Sequence, residues 1–253
     1  MNFPTDQGSK VSSFFDRIST DYRERYGPQN PFHAYFFGER LQAATEGFQF
    51  ENKVVLDIGA GTGPLYDYLT KYPGVDYYAC DISPKMLSRS QIPAERTFIG
   101  KATEIRFPRD KFDYIYLLGV TTYQTPDELK QTFQLIRDRL APNGRAILSF
   151  TNRSSADHAL RTILRFAQPL IHNGVLGQAF TTHAYRLGAI EDMIAVYDLH
   201  VSRAVYLNHT FSPFNTLLPR PSVSVARWLG RNCPASLLSF CSADFLLVLD
   251  QKN

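Results

Sequence analysis

A largely parallel α/β sheet covered by helices on both faces is the fold class this sequence predicts, and three observations predict it. Short runs that are apolar almost throughout alternate with helical stretches. The first run, "VVLDIGAGTG", ends in alternating glycines, and the second, "YYACD", ends in an acid. Strands buried on both faces lose the polar–apolar alternation of a half-exposed sheet, so near-continuous apolar runs separated by helices mark a parallel sheet. With 253 residues, 44% of them hydrophobic, the chain has material for one large domain.

From Lys10 to about Gly47 helix formers dominate, with aromatics recurring at Phe14, Phe15, Tyr22, Tyr26, Tyr35, Phe36 and Phe37. "GPQNP" interrupts them and predicts two helical pieces. Strands are then predicted at "KVVLDIG", "VDYYACDI", "RTFIGKA", "FDYIYLLG" and "GRAILSF". Helices are predicted between them at "PLYDYLTKY", "SPKMLSRSQ" and "PDELKQTFQLIRDRL". Residues 152 to 195 read as helical with a break at "NGVLG", followed by strands at "LHVSRAVYLNH" and "SADFLLVLDQ". Between these two strands an arm, "TFSPFNTLLPRPSVSVARWLGRNCPASLLSFC", carries four prolines and shows no strict period.

The glycine loop decides the chemistry. A phosphate-binding P-loop needs Lys followed by Ser or Thr, and here Gly63 is followed by Pro64 and Leu65. A dinucleotide loop is closer, but Asp57 would then stand near a pyrophosphate, where like charges repel. S-adenosylmethionine carries an ammonium and a sulfonium and no phosphate, so Asp57 fits it better than it fits a nicotinamide dinucleotide. Asp81, 18 positions after Gly63, ends the second strand, where a carboxylate can accept from ribose hydroxyls.

Together, "VLDIGAGTG", "ACDISPKML" and "FDYIYLLGV", in this order, resemble the class I S-adenosylmethionine-dependent methyltransferases. "FFDRISTDYRERY" looks like the N-terminal cover of their small-molecule, ubiquinone/menaquinone-type branch. The resemblance implies a Rossmann-like α/β fold with a seven-stranded mixed sheet, an antiparallel last strand and helices on both faces. It implies one domain over residues 1–253: a helical cover (1–50), a cofactor-binding half (51–151), and a substrate-side half (152–253) with an insertion at 208–241. The cover and the insertion would roof the site. By the same resemblance Gly59 and Gly61 hold the methionyl end beside Asp57, Asp81 binds the ribose, and Ile82 and Met86 flank the adenine. Ala102 and Thr103 would face the adenine edge, Leu118 and Gly119 would lie along the cofactor, and Tyr22 would close over it. "LAPNGRAILSF" matches the family's helix–turn–strand, with Asn143 in place of a glycine. Lys101 stands where the family often has an aspartate accepting from the adenine amine, and Lys has no acceptor. On that reading Lys101→Asp should tighten cofactor binding or leave it unchanged.

No catalytic triad or metal cluster is visible, and methyl transfer from a sulfonium requires none. His183, in "FTTHAYRLGAIEDM", ranks first among the six histidines as a general base. A net charge of +3, with Lys and Arg scattered, argues against a nucleic-acid substrate. A small, largely apolar metabolite is the expected acceptor. The alternatives are a non-catalytic S-adenosylmethionine-fold scaffold and, behind it, a nucleic-acid methyltransferase. The arm, with Arg220, Arg227, Arg231 and Trp228, reads first as a surface excursion covering the core. It reads second as a lid meeting an apolar or anionic substrate, or as a peripheral membrane contact. Three cysteines without C-x-x-C pairing, no apolar leader and no run near the roughly 20 residues of a membrane span predict a cytoplasmic protein.

Overall fold

The computed structural model describes residues 7–167 and 180–252. Three helices precede the sheet: α1 (Gln7–Ile18), α2 (Tyr22–Arg25) and α3 (Pro31–Thr45). The break at residues 26–30 falls on "GPQNP", as expected, and Pro31 opens α3 at its first turn, where a missing N–H is harmless. The chain then alternates through β1 (Val54–Ile58), α4 (Pro64–Leu69), β2 (Asp76–Asp81), α5 (Pro84–Leu87) and β3 (Thr97–Ile99). It continues through β4 (Phe112–Leu117), α6 (Pro126–Arg139) and β5 (Leu140–Thr151). The last part holds α7 (Ala156–Ala167), α8 (Leu187–Ala195), β6 (Leu199–Leu207), α9 (Phe214–Leu217), α10 (Pro219–Asn232), α11 (Ala235–Cys241) and β7 (Asp244–Gln251).

The seven strands form one sheet in the order β3-β2-β1-β4-β5-β7-β6. Neighbours among β1 to β5 are parallel, and β7 runs antiparallel between β5 and β6. The expected mixed sheet with an antiparallel last strand is therefore present. The chain winds outward from β1 through β2 to β3, then crosses to β4 on the other side of β1. That reversal opens a crevice at the carboxyl ends of β1 and β4, the place where open α/β sheets bind ligands.

Alternate residues of the strands feed two cores. Leu56, Ile115, Leu117 and Leu148 pack with Phe133 and Ile136 of α6 and with Ile190 and Ile194 of α8. Val55, Tyr77, Tyr116 and Ile147 pack with Ala43 and Ala44 of α3 and with Leu65 and Leu69 of α4. The carboxyl end of α3 is fixed by Arg203 of β6, whose guanidinium donates to the carbonyls of Ala43 (2.9 Å) and Glu46 (3.1 Å). A cation there also complements the negative end of the helix dipole.

Three readings change. "LAPNGRAILSF" is strand throughout, with Asn143 in the left-handed region (φ 61°) at an irregularity where β5 meets β4. Asn tolerates that conformation, so the expected turn survives inside a longer strand. The arm is three helices rather than an aperiodic path. Pro213 and Pro234 precede α9 and α11, while Pro219 and Pro221 lie in the first turn of α10. The prolines mark helix starts, where they fit. Residues 152–195 hold α7 and α8, with residues 181–186 ahead of α8 in neither helix nor a named strand; "NGVLG" lies outside the described residues.

Phe133 has no exposed surface and sits between α6 and the sheet. Phe133→Ala is expected to cost about 3–5 kcal/mol, read as a lowered urea midpoint with a fold otherwise unchanged.

Candidate active site

A cavity of about 590 Å³ occupies the crevice at the carboxyl ends of β1, β2 and β4. All twelve residues singled out from sequence border it: Tyr22, Asp57, Gly59, Gly61, Asp81, Ile82, Met86, Ala102, Thr103, Leu118, Gly119 and His183. The backbone reaches the cavity because two glycines occupy positions no other residue could hold. Gly59 (φ 76°) lies so close to Val120 that a Cβ would come within 2.2 Å of its Cγ2. At Gly119 (φ 77°) a Cβ would meet the Nη1 of Arg40 at 2.7 Å.

Asp57 is buried, and its Oδ2 accepts a 2.5 Å hydrogen bond from the Tyr77 hydroxyl. Among the described residues no Lys or Arg pairs with it. Burial pushes its carboxyl up to about 7, against the pull of the Tyr77 hydrogen bond. Asp81 holds the two neighbouring loops: Gly61 N–H donates to one oxygen and Ser83 N–H to the other, each at 2.8 Å. Burial raises its carboxyl to about 6, with the Ser83 and Gly61 N–H groups opposing and nearby Asp16 adding to the rise. Each oxygen of Asp81 keeps a further lone pair.

The N-terminal helices are bolted to these loops. Ser12 donates to the carbonyl of Ile82 (2.7 Å), and Asp16 accepts from the Ser83 hydroxyl (2.6 Å). Arg23 donates to the carbonyl of Thr62 (2.5 Å) and pairs with Asp67 (3.0 Å). Tyr22 lies between Phe15 and Tyr26, whose hydroxyl donates to it, and burial raises its phenol far above the usual range. Phe32, His33, Phe36, Phe37 and Arg40 of α3 complete this wall.

His183 is clamped through its backbone to the turn after β4. Its N–H donates to Thr122 (2.7 Å) and its carbonyl accepts from the Thr122 hydroxyl (3.0 Å). Its Nε2 is buried without a hydrogen-bond partner among the described residues. Met86 is 2% exposed and serves the core as much as the cavity.

Lys101 is no isolated exchange. Its ammonium pairs at 2.8 Å with Glu128, which also caps α6 through a reciprocal bond with Thr125. Burial alone would raise the Glu128 carboxyl, but Lys101 and the Thr125 N–H hold it below the usual range. An aspartate at 101 would face Glu128, so that substitution is now expected to weaken this end of the cavity. Gln124 stands on the same wall, its Nε2 donating to Thr132 (2.7 Å) and its Oε1 buried without a partner among the described residues.

Sequence reasoning missed Arg40. Its guanidinium stacks 4.0 Å over Phe36, borders the cavity beside Gly119, and leaves Nε buried without a hydrogen bond. No carboxylate among the described residues lies within ion-pair distance of it. An arginine four residues after Phe36 on an apolar helix was the available signal.

The arm is not the roof. Asn208, Ala243 and Asp244 border the cavity, but no described residue from 209 to 242 does. The arm packs on the outside of α3 through Val223 and Ala226. It is tied down by a chain in which Ser242 meets His209 Nδ1 at 2.8 Å and His209 Nε2 lies 4.0 Å from Glu39. These three residue types could form a nucleophilic set, but Ser242 is fully buried and away from the cavity, which makes their role structural.

A family profile described as a methyltransferase domain matches residues 32–188, more than half of the chain. No curated protein matches by sequence. Magnesium protoporphyrin IX methyltransferase from Synechocystis PCC 6803, solved with bound S-adenosylhomocysteine, is 16% identical with a TM-score of 0.64; the match covers 98% of this chain and 100% of that one. The 1,6-didemethyltoxoflavin-N1-methyltransferase of Burkholderia thailandensis is 13% identical with a TM-score of 0.56, covering 100% of this chain and 92% of that one. The profile, the sheet order and the glycine loop agree, and the chain belongs to the class I S-adenosylmethionine-dependent methyltransferases.

Proposed function

We propose that this enzyme moves the methyl group of S-adenosylmethionine to a small, largely apolar acceptor, as in the small-molecule, ubiquinone/menaquinone-type branch of the family. One observation carries the reading: a single cavity joins a charged end to an aromatic end. At the charged end, unpaired Asp57 suits an ammonium, Arg40 beside Gly119 suits a carboxylate, and Asp81 suits a ribose diol. Their three complements are the polar groups of the cofactor's methionyl and ribose parts. The open approach at Gly61, where a Cβ would touch nothing within 4 Å, leaves room for a ligand against the backbone. Gln124 Oε1 is an acceptor for the adenine amine in place of the aspartate that Lys101 replaces. At the aromatic end, Phe15, Tyr26, Phe32, Phe36 and Phe37 suit an apolar acceptor and exclude water. Two similar structures are named for methylation of magnesium protoporphyrin IX and of 1,6-didemethyltoxoflavin, which accords with a small-molecule acceptor.

The bound cofactor supplies a methyl group on a sulfonium, which is already a good leaving group. The protein's part is alignment: the glycine loops and Asp81 fix one partner, and the aromatic wall fixes the other. His183 takes the proton from an acceptor hydroxyl or amine; its unpartnered Nε2 costs desolvation that such a ligand would offset.

Asp81→Ala should lose about 1–3 kcal/mol of S-adenosylhomocysteine affinity, and Arg40→Met about 1.5–3 kcal/mol, by calorimetry on folded variants. His183→Gln should leave that affinity unchanged and lower kcat on the order of 10²–10⁴-fold, judged once an acceptor is found by methyl-transfer screening. Loss of cofactor binding in His183→Gln would remove the base assignment.

A pH dependence follows from the two raised carboxyls. Below about pH 4 both are protonated, folded or unfolded. Between the ordinary value of 3.8 and the folded values of about 6 and about 7, only the unfolded chain releases protons. The stability of the empty protein should therefore fall as pH rises through that window and level off above it. An ammonium beside Asp57 favours its ionised form, so S-adenosylhomocysteine should bind more tightly as pH rises toward 7, with proton release. Calorimetry in buffers of different ionisation heat measures that release, and its absence would remove Asp57 from the ammonium.

A further inference from the structure

We infer that the arm's outer face docks on an anionic lipid surface, with α10 lying in the plane of the membrane. All three arm helices turn large apolar side chains to solvent: Phe214 and Leu217 on α9, Val225 and Trp228 on α10, Leu237 and Phe240 on α11. Trp228 is 60% exposed and Phe240 57%. α10 packs against both α9 and α11, so these side chains belong to adjoining helices.

The charge pattern selects the occupant. On α10 the inner residues Val223 and Ala226 are buried against α3. Val225 and Trp228 form an outer apolar ridge, three residues apart. Arg220, Arg227 and Arg231, spaced seven and four apart, form an exposed stripe beside that ridge. Arg227 also reaches 5.9 Å from the Tyr35 ring, and none of the three pairs with a carboxylate among the described residues. From Leu199 to Ala243 the chain contains no Asp or Glu. An apolar ridge flanked by arginines and free of acids suits an interfacial helix on anionic headgroups. A second copy fits poorly, because a two-fold contact through this face brings arginine stripe toward arginine stripe with no acid in the arm to pair them. No described helix is long and apolar enough to cross a membrane, so the contact is peripheral. α10 rests on α3, whose aromatic residues wall the cavity, which sets the site one helix layer from the bilayer.

Trp228 is the chain's single tryptophan, so the face carries its own reporter. The full chain is titrated with vesicles of phosphatidylcholine alone and of phosphatidylcholine with phosphatidylserine. With phosphatidylserine the Trp228 emission should shift to the blue and be quenched by brominated acyl chains. With phosphatidylcholine alone it should stay unchanged. R220Q/R227Q/R231Q should lose on the order of a hundredfold in vesicle affinity. Val225→Asp, at an exposed position, should abolish the shift while S-adenosylhomocysteine binding persists. No shift or co-sedimentation with phosphatidylserine vesicles overturns the inference, as does undiminished binding by the arginine variant. A blue shift without lipid that grows with protein concentration, accompanied by dimers in sedimentation, overturns it in favour of a second copy.

Discussion

A buried carboxyl with no counter-ion among the described residues, Asp57, stands at the heart of the cavity. Asp57 lies next to the last residue of β1, a strand paired on both sides, and among the described residues only the Tyr77 hydroxyl reaches its carboxylate. Burying an unpaired charge is expensive, so burial gives Asp57 a raised affinity for its proton. The surrounding construction follows from that residue. Gly59 lets the chain turn away immediately after β1, and its closeness to Val120 locks the β1 loop to the β4 loop. Asp81 then receives Gly61 and Ser83 and ties the β2 loop to the same point. Three loops from three strands converge on one polarised spot.

The second requirement is enclosure. Methyl transfer to a weak nucleophile needs alignment and the exclusion of water more than it needs acid–base groups. Here the enclosure comes from α1, α2 and α3. Their attachments run to the loops themselves: Ser12 to Ile82, Asp16 to Ser83 and Arg23 to Thr62. Cover and cofactor loops therefore behave as one unit, and any movement of the cover is felt at Asp81. Arg40 belongs to the same unit, because α3 carries it to within reach of Gly119.

The sheet and the cofactor residues were legible in the sequence because their signals are local. An apolar run, a glycine turn and an acid at a strand end lie within a few residues of one another, as at Val54–Gly63 and Tyr77–Asp81. What escaped depends on partners far along the chain. Lys101 reads as a lost acceptor until Glu128, 27 residues on, is seen to pair with it. Arg40 goes unnoticed in the sequence, because what distinguishes it is Gly119, 79 residues on, coming beside it. The arm's prolines read as interruptions because a period cannot be counted across them, yet each stands just before a helix or in its first turn. The arm's apolar residues also read as cover for the core, whereas only Val223 and Ala226 of α10 turn inward.

The cover has one more consequence, for the order in which the chain assembles during synthesis. Its helices leave the ribosome ahead of the sheet, and their partners come much later: Thr62 is 39 residues from Arg23, Ile82 is 70 from Ser12, and Tyr123 is 116 from Gln7. The aromatic residues between Phe14 and Phe37 must therefore wait, without their final neighbours, while most of the sheet is made. Contacts of such long separation close slowly, and apolar segments left open in the meantime invite association with other chains. Helices made ahead of the sheet thus settle only after its loops exist, and the nascent chain passes through a stage that a chaperone is suited to guard.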